Sequence, residues 1–570
     1  MVAAVVSVRY IHRWGVPTVN TGDRHPPARS RGRSFAEWAA VGRTRGRHAS
    51  TEHRPGVRDA VGRQVERNGR IDTVSLPDVC VVGSGPNGLA AAVTMARAGL
   101  SVQVFEANDT LGGGARTAEI TVPGYHHDLC SAVHPMALAS PFFKAFQLAD
   151  RVDFVTPDVS YAHAFSPGRA GVAYRDLERT AVELGADGKG WRDLFAPLVR
   201  NIDGIVDFAT DQLLRIPRHP VAAALMGLRT LEQGSPLWNA RFVGQVAPAM
   251  LTGVNTHSLG IMPSLSTAGA GLLLATLAHS HGWPVPIGGS QAIANALADD
   301  LRAHGGEIHT GVRVDDLGEL PPSRVTLLDT SARALLLLAG DRLPDRYRAA
   351  VGRFRYGDGA AKVDFALSEP VPWTAKALRD APTIHLGGSR RALAASEADV
   401  ARGRYPAEPY LLMSQPSLLD PTRAPAGGHV LWAYTHVPRG SRRDMLTEIT
   451  DRIETFAPGF RDVVVGSASS SAAGLEAHNA NYIGGDFSAG AVTAFQLVKR
   501  PVISAHPWRT PLPGVYLCSS STPPGPGVNG MAGWHAARLA LKDLGLPSPD
   551  LAPAVPHRGH TPAVVEGTSR

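Results

Sequence analysis

At 570 residues the chain is several times the usual domain length of about 100–200 residues, so two domains over extensive cores are expected. Hydrophobic residues make up 44% and charged residues 19%, the balance of a globular enzyme and not of a solvated, disordered polymer. The formal charge of +7 sits in residues 1–74, which hold 14 Arg against six acids; the rest of the chain is close to neutral, which does not support a basic partner-binding face on its body.

Residues 1–74 mix Arg, Gly, Pro, Ser and His with no sustained period of 2 or 3.6, and are expected to be a disordered Arg-rich tail. A targeting peptide and an upstream-extended translation start both account for that composition. The opening Met1–Tyr10 is too short for a signal-peptide core, and the longest apolar passage, Ala268 to Ala278, is broken by Gly269 and Gly271 and predicts a buried or interfacial helix. Cys80, Cys130 and Cys518 lie far apart, without a C-x-x-C pair or zinc-site spacing. This predicts a reducing compartment and no redox dithiol.

Order is predicted to begin at Asp78. Val79-Cys80-Val81-Val82 is an apolar run that meets Gly83-Ser84-Gly85-Pro86-Asn87-Gly88, and a helical stretch from Leu89 to Ala98 ends at Gly99. A second strand, Ser101 to Phe105, ends at Glu106. A G-x-G-x-x-G between strand and helix, with an acid at the tip of the next strand, is the pattern of a dinucleotide-binding unit: Gly83, Gly85 and Gly88 allow the tight turn and close packing, Pro86 and Asn87 open the helix, and Glu106 can accept from ribose hydroxyls. A second cluster, Leu111-Gly112-Gly113-Gly114-Ala115-Arg116, permits another close backbone approach to a pyrophosphate, with Arg116 adding charge-assisted hydrogen bonds.

Beside these come the dense titratable runs Tyr125-His126-His127-Asp128 and Ser131-Ala132-Val133-His134-Pro135. His134 is the candidate acid or base; His126 and His127 lack a third ligand at suitable spacing, so no metal is expected. The stretch Pro141 to about Trp283 alternates helical patterns, such as Trp191 to Leu214, with Pro-rich breaks. An α/β pattern returns at 285–330, with a helix from Ala292 to His304 and a strand from Glu307 to Val314. In the mixed block 340–500, strands are predicted at Ala361–Leu367 and His429–Tyr434. Tyr434 and His436 share one side of their strand, facing either a substrate cavity or solvent. The last α/β unit, Gly514 to Leu544, carries Ser519-Ser520-Ser521-Thr522-Pro523-Pro524-Gly525-Pro526-Gly527-Val528-Asn529-Gly530-Met531 ahead of a helix, a run of mostly small residues that lets backbone approach a flat ring.

With these three motifs the sequence resembles the FAD-dependent oxidoreductases related to phytoene desaturases, within the superfamily that also contains amine oxidases; the resemblance runs from about Asp78 to Leu544. It implies an α/β fold: a Rossmann-like FAD-binding domain of the amine-oxidase type (75–150, 285–335 and 505–546) with an inserted α+β substrate domain (151–284 and 336–504), and a flexible tail at 547–570. It assigns FAD contacts to the three motifs (Ser521, Gly527, Val528, Asn529, Gly530 and Met531 in the last) and an adenine contact to Val314. Serines 519–521 depart from the family's Gly-Ala-Gly run, and Asn529 from the residues its relatives carry. The implied activity is dehydrogenation or isomerisation of a hydrophobic, isoprenoid or lipid-like substrate, reoxidised by oxygen, a quinone or another acceptor. Amine oxidation and a flavin-carrying interaction protein without turnover are the alternatives. The implied setting is cytoplasmic with peripheral membrane contact.

Overall fold

The computed structural model describes residues 76–552; the expectation for 1–74 lies outside the described residues, as does that for the tail 547–570 from 553 onward, while Leu551 is buried and Arg97 donates to the Ala552 carbonyl. Sixteen strands occur among the described residues. In chain order they are β1 (Val79–Val82), β2 (Val102–Phe105), β3 (Thr117–Glu119), β4 (His126–Asp128), β5 (Phe154–Val155), β6 (Val159–Ser166), β7 (Arg169–Tyr174) and β8 (Val285–Pro286). They continue with β9 (Glu307–His309), β10 (Val325–Leu328), β11 (Gly359–Leu367), β12 (Thr383–Leu386), β13 (Leu411–Ser414), β14 (His429–Val437), β15 (Val464–Ser470) and β16 (Val515–Leu517).

Five of these strands form one all-parallel sheet in the order β16-β10-β1-β2-β9. Counted in chain order within the sheet this is 3-2-1-4-5 read from β9, the doubly wound dinucleotide-binding topology. All four residues of β1 are buried because helices cover both faces. Helices Pro86–Arg97, Gln291–Ala303 and Met531–Asp543 pack Leu89, Val93, Leu297, Leu301 and Ala540 over Val79, Val81, Val104 and Leu327. Leu335 and Leu338, from helix Ala332–Ala339, cover Val82 and Leu328 from the other side. Pro86 opens its helix at a position where a missing N–H costs nothing, and Gly99, at φ +83°, closes it in the left-handed region.

A second, seven-stranded sheet runs β15-β11-β14-β13-β12-β6-β7, antiparallel throughout except for the β12/β6 pair. Its two faces differ in chemistry. One is apolar: Ala162, Val363, Phe365, Ile384, Met413, Leu431 and Ala433 pack on Ile449, Ile453 and Phe456 of helix Leu446–Phe456. The alternate residues, Tyr161, His163, His385, Leu412, Trp432, Tyr434, His436, Lys362 and Asp364, are buried as well, yet most are aromatic or titratable. Helices Gly188–Val199, Val246–Asn255 and Leu265–Ala278 cover the Tyr161 end of that face.

Three predicted elements differ in extent. The helix expected over Trp191–Leu214 is two, Gly188–Val199 and Ile202–Ala209; it breaks where Asn201 turns its side-chain amide back to the Pro197 carbonyl. The strand expected to reach Val314 stops at His309, because Gly311 adopts φ +68° and the chain turns, with Gly311 N–H and Val312 N–H donating to the Asn108 and Glu106 carbonyls. The stretch 141–283 holds β5, β6 and β7 besides its helices. No helix among the described residues is long and apolar enough to cross a membrane.

Candidate functional site

β1 and β10 are neighbours whose connections leave toward opposite halves of the sheet, and the crevice at their carboxyl ends is where an open α/β sheet takes a ligand. Gly83-Ser84-Gly85 crosses this crevice. A Cβ on Gly83, whose φ is +96°, would stand 2.8 Å from the Asp329 carbonyl oxygen, and one on Gly85 would stand 2.5 Å from Asp329 Oδ2. Asp329 ends β10 and accepts the Gly88 N–H at 2.9 Å. Burial beneath the turn pushes its carboxyl up to about 7, against the opposing hydrogen bond from Gly88.

Glu106, at the tip of β2, is held on every side. Its Oε2 accepts from Ser84 N–H at 3.0 Å and Ser84 Oγ at 2.7 Å, and its Oε1 from the Asn108 N–H and side-chain amide, both at 2.8 Å. Burial raises its pKa, but these donors outweigh it and hold the group below the usual carboxylate range, so a fixed anion stands beside the glycine turn. Val314 packs in the apolar cluster formed by Val82 and Leu328, at the ends of β1 and β10.

The second glycine cluster lies against the first. Gly112 N–H donates to the Ser84 carbonyl at 3.1 Å, and a Cβ on Gly113 would come within 2.9 Å of Gly85 Cα. Arg116 is buried there, its Nε donating to the Gly113 carbonyl at 2.9 Å and its terminal nitrogen 2.7 Å from His478 Nε2. Gly114 has no room for a side chain, since its Cβ would stand 2.5 Å from the Tyr482 hydroxyl.

The third motif closes onto the same helix. Gly533 abuts the Asn87 carbonyl so closely that a Cβ would overlap it, and Gly530, at φ +68°, packs on the Phe142 ring and Ala90. Asn529 is a pin: its carbonyl accepts from Ser140 Oγ at 2.6 Å and its side-chain oxygen from Met531 N–H at 2.9 Å. Ser521 is buried, accepting from Ala332 N–H at 3.1 Å and donating to the Ala489 carbonyl at 2.9 Å, and so faces protein on both sides. Gly527, at φ +128°, and the half-buried Val528 complete the turn. The three predicted stretches are thus contiguous, with two helix N-termini, at Pro86 and at Met531, among them. Side-chain-free backbone, N-terminal N–H groups and a fixed carboxylate together suit a flavin dinucleotide. Asn87 Oδ1, buried without a partner among the described residues, stands at the same turn.

From Gly114 the site continues through Tyr482 and Cys130 to the polar-aromatic face of the second sheet, where Tyr482, Trp432, Tyr434, Leu412 and Met262 form one cluster with Phe487 and Cys130 at its edge. Tyr434 and His436 are both buried on this face, so the solvent-facing alternative for them is excluded. Lys362 lies opposite Tyr434 in the β11/β14 register and pairs with Asp364, both buried. His134 Nε2 lies 2.8 Å from Ser290 Oγ, and burial takes its pKa down to about 4, which keeps the ring neutral. His127 Nδ1 lies 3.7 Å from Asp364.

Sequence reasoning did not single out Asp329, Lys362 or Glu397, whose carboxylate meets His436. For Asp329 there was one usable sign, an acid ending an otherwise apolar strand of a parallel sheet.

The comparisons with known proteins agree with this geometry. The model of the family described as flavin containing amine oxidoreductase matches residues 87–541. The chain is 27% identical over 551 residues to a rat protein, pyridine nucleotide-disulfide oxidoreductase domain-containing protein 2, covering 82% of this chain and 94% of the relative. It is 28% identical over 387 residues to a phytoene dehydrogenase of Streptomyces griseus, covering 63% and 73%. In fold it is similar to the cyclohexylamine oxidase of Brevibacterium oxydans, with a TM-score of 0.52 at 16% identity over 83% of this chain and 100% of that one. The chain belongs to the flavin-containing amine oxidoreductase family and is an FAD-dependent oxidoreductase.

Proposed function

We propose that the protein dehydrogenates a hydrophobic, isoprenoid- or lipid-like substrate held between the glycine turns and the polar-aromatic face of the second sheet. One observation carries this reading: the wall that adjoins the glycine cluster through Tyr482 is built of Trp432, Tyr434, Phe487, Leu412 and Met262, an apolar and aromatic lining suited to a hydrocarbon body. The similarity to phytoene and diapolycopene-aldehyde dehydrogenases supports it.

The bound flavin supplies the hydride acceptor. The chain's part is to bind, orient and exclude water. The buried wall keeps the reacting carbon dry, Gly112 to Gly114 bring backbone alongside, and the Lys362–Asp364 pair places a buried cation and anion next to Trp432. His134, locked to Ser290, is the proposed acid or base beside the first domain, and Tyr434 with His436 the proposed substrate contacts. FAD contacts are assigned to the three glycine-bearing stretches and Glu106.

Amine oxidation is the second reading, favoured by the family match. The deciding experiment is anaerobic mixing of the yellow holoprotein with candidate lipids and amines, followed by absorbance. Bleaching by a lipid supports dehydrogenation and bleaching by an amine supports the second reading; a flavin that stays oxidised with both classes marks a binding protein without turnover.

A further inference from the structure

His436 lies in β14, two residues past Tyr434 and on the same face, and its ring is met by Glu397 of helix Arg390–Ala401. Nδ1 is 2.8 and 2.9 Å from the two Glu397 oxygens, with both side chains almost wholly buried, at 1% and 2% exposure. A carboxylate only accepts, so Nδ1 carries the proton it donates, and in the neutral ring the lone pair is on Nε2. Nε2 is buried, and no described residue offers it a hydrogen-bond partner. A buried acceptor left unmet carries its full desolvation penalty.

The surroundings show what could meet it. The imidazole stands 5.5 Å from the Tyr434 ring and 5.6 Å from the Tyr410 ring; Tyr434 in turn stands 5.2 Å from Trp432 and 5.5 Å from Phe487. Across the strand pair His436 faces Ala360. An aromatic lining thus runs from the glycine cluster to an oriented acceptor. A hydrocarbon would leave Nε2 bare, and with it the buried Trp432 indole N–H, which also has no hydrogen-bond partner among the described residues.

Building on the reading of this wall as the substrate site, we propose that His436, oriented by Glu397, accepts a hydrogen bond from a hydroxyl or amine group of the substrate. The natural substrate is therefore an amphiphile with an O–H or N–H head and not a pure hydrocarbon. Glu397 is a positioning residue: it fixes which imidazole nitrogen accepts.

The test uses the full-length holoprotein and three probes of equal chain length: a saturated primary alcohol, the corresponding primary amine and the parent alkane. Binding is measured by titration calorimetry, and selective nitrogen-15 labelling of histidine follows the His436 Nε2 resonance. The expected result is that an alcohol or amine binds about tenfold or more tightly than the alkane, the scale of one hydrogen bond to a buried group. It also shifts Nε2 from its unprotonated position, which the alkane does not. Which of the two donors binds identifies the head. His436→Phe, with flavin content retained, abolishes the preference. Glu397→Leu removes the acceptor that holds the proton on Nδ1, so the Nε2 resonance moves toward its protonated position and the donor preference falls. Equal binding of alkane and donors, failure of both donors to bind, a protonated Nε2 in the free holoprotein, or a Glu397→Leu variant with unchanged selectivity and Nε2 resonance would each overturn the proposal. Head-group preference together with no flavin bleaching by any of the candidate lipids and amines would leave it standing and sink the dehydrogenase reading instead.

Discussion

Asp329 Oδ2 accepts the Gly88 N–H at 2.9 Å, so the end of one strand is fastened to the first turn of a helix 241 residues earlier in the chain. The carboxyl titrates at about 7 because it is buried, against an ordinary 3.8. An acid whose folded pKa is raised binds more protons folded than unfolded between those two values, so it stabilises less as pH rises through that window and no further change follows above it. Melting temperature measured from pH 4 to 8 is expected to carry this downward slope in the flavin-free protein, and Asp329→Asn to flatten it. A slope unchanged in the variant would place the titration elsewhere.

Helices Pro86–Arg97 and Met531–Asp543 touch through Gly533, with no space for even one methyl against the Asn87 carbonyl. Gly533→Ala forces them apart. Overpacking of this kind costs about 1–3 kcal/mol, and the turn at Gly83–Gly88 shifts with the helix it opens. Denaturant melts should register the loss, and flavin released on gel filtration should exceed that of the parent protein.

Arg423 is fully buried between Asp128 and Asp420, 3.0 and 2.7 Å from their carboxylates. Asp420 also accepts from Gly288 N–H and Asp128 from Ser290 N–H, so the ion group fixes the loop that leads back into the first sheet. Removing one member of such a group strands the others, at about 3–5 kcal/mol. Arg423→Met is expected to show that loss in urea unfolding. A cost below about 1 kcal/mol would mean that the carboxylates had found water.

Glu106 organises the proposed flavin site, holding Ser84 and Asn108 through four hydrogen bonds. Glu106→Gln keeps the shape, but the amide nitrogen cannot accept. Flavin affinity, measured by dialysis of the holoprotein, is expected to fall about tenfold or more. Retention of full affinity would show that the nucleotide does not reach this carboxylate.

The first turn was readable from sequence because everything it needs is local: four apolar residues, three glycines at fixed offsets, and Glu106 one strand later. The shared side of Tyr434 and His436 was also readable, since strand parity needs no partner. What faces them was not, because Glu397 reaches His436 from a separate helix packed against β14, and Lys362 comes from a strand more than 70 residues upstream. Asp329 escaped notice for the same reason: its meaning depends on β10 lying beside β1. Where expectation overran, as in the strand drawn to Val314, one glycine in the left-handed region ended the element.

The parallel sheet has a bearing on biosynthesis. Its central strand emerges near residue 79, while its edge strand β16 and the helix that packs Gly533 against Asn87 are translated last. Until residue 543 has left the ribosome, the nascent chain exposes an apolar sheet edge and an unfinished crevice. A message cut short before that point yields a product without the last of the three stretches proposed to hold the vitamin-derived cofactor, however much of the second sheet it has already made.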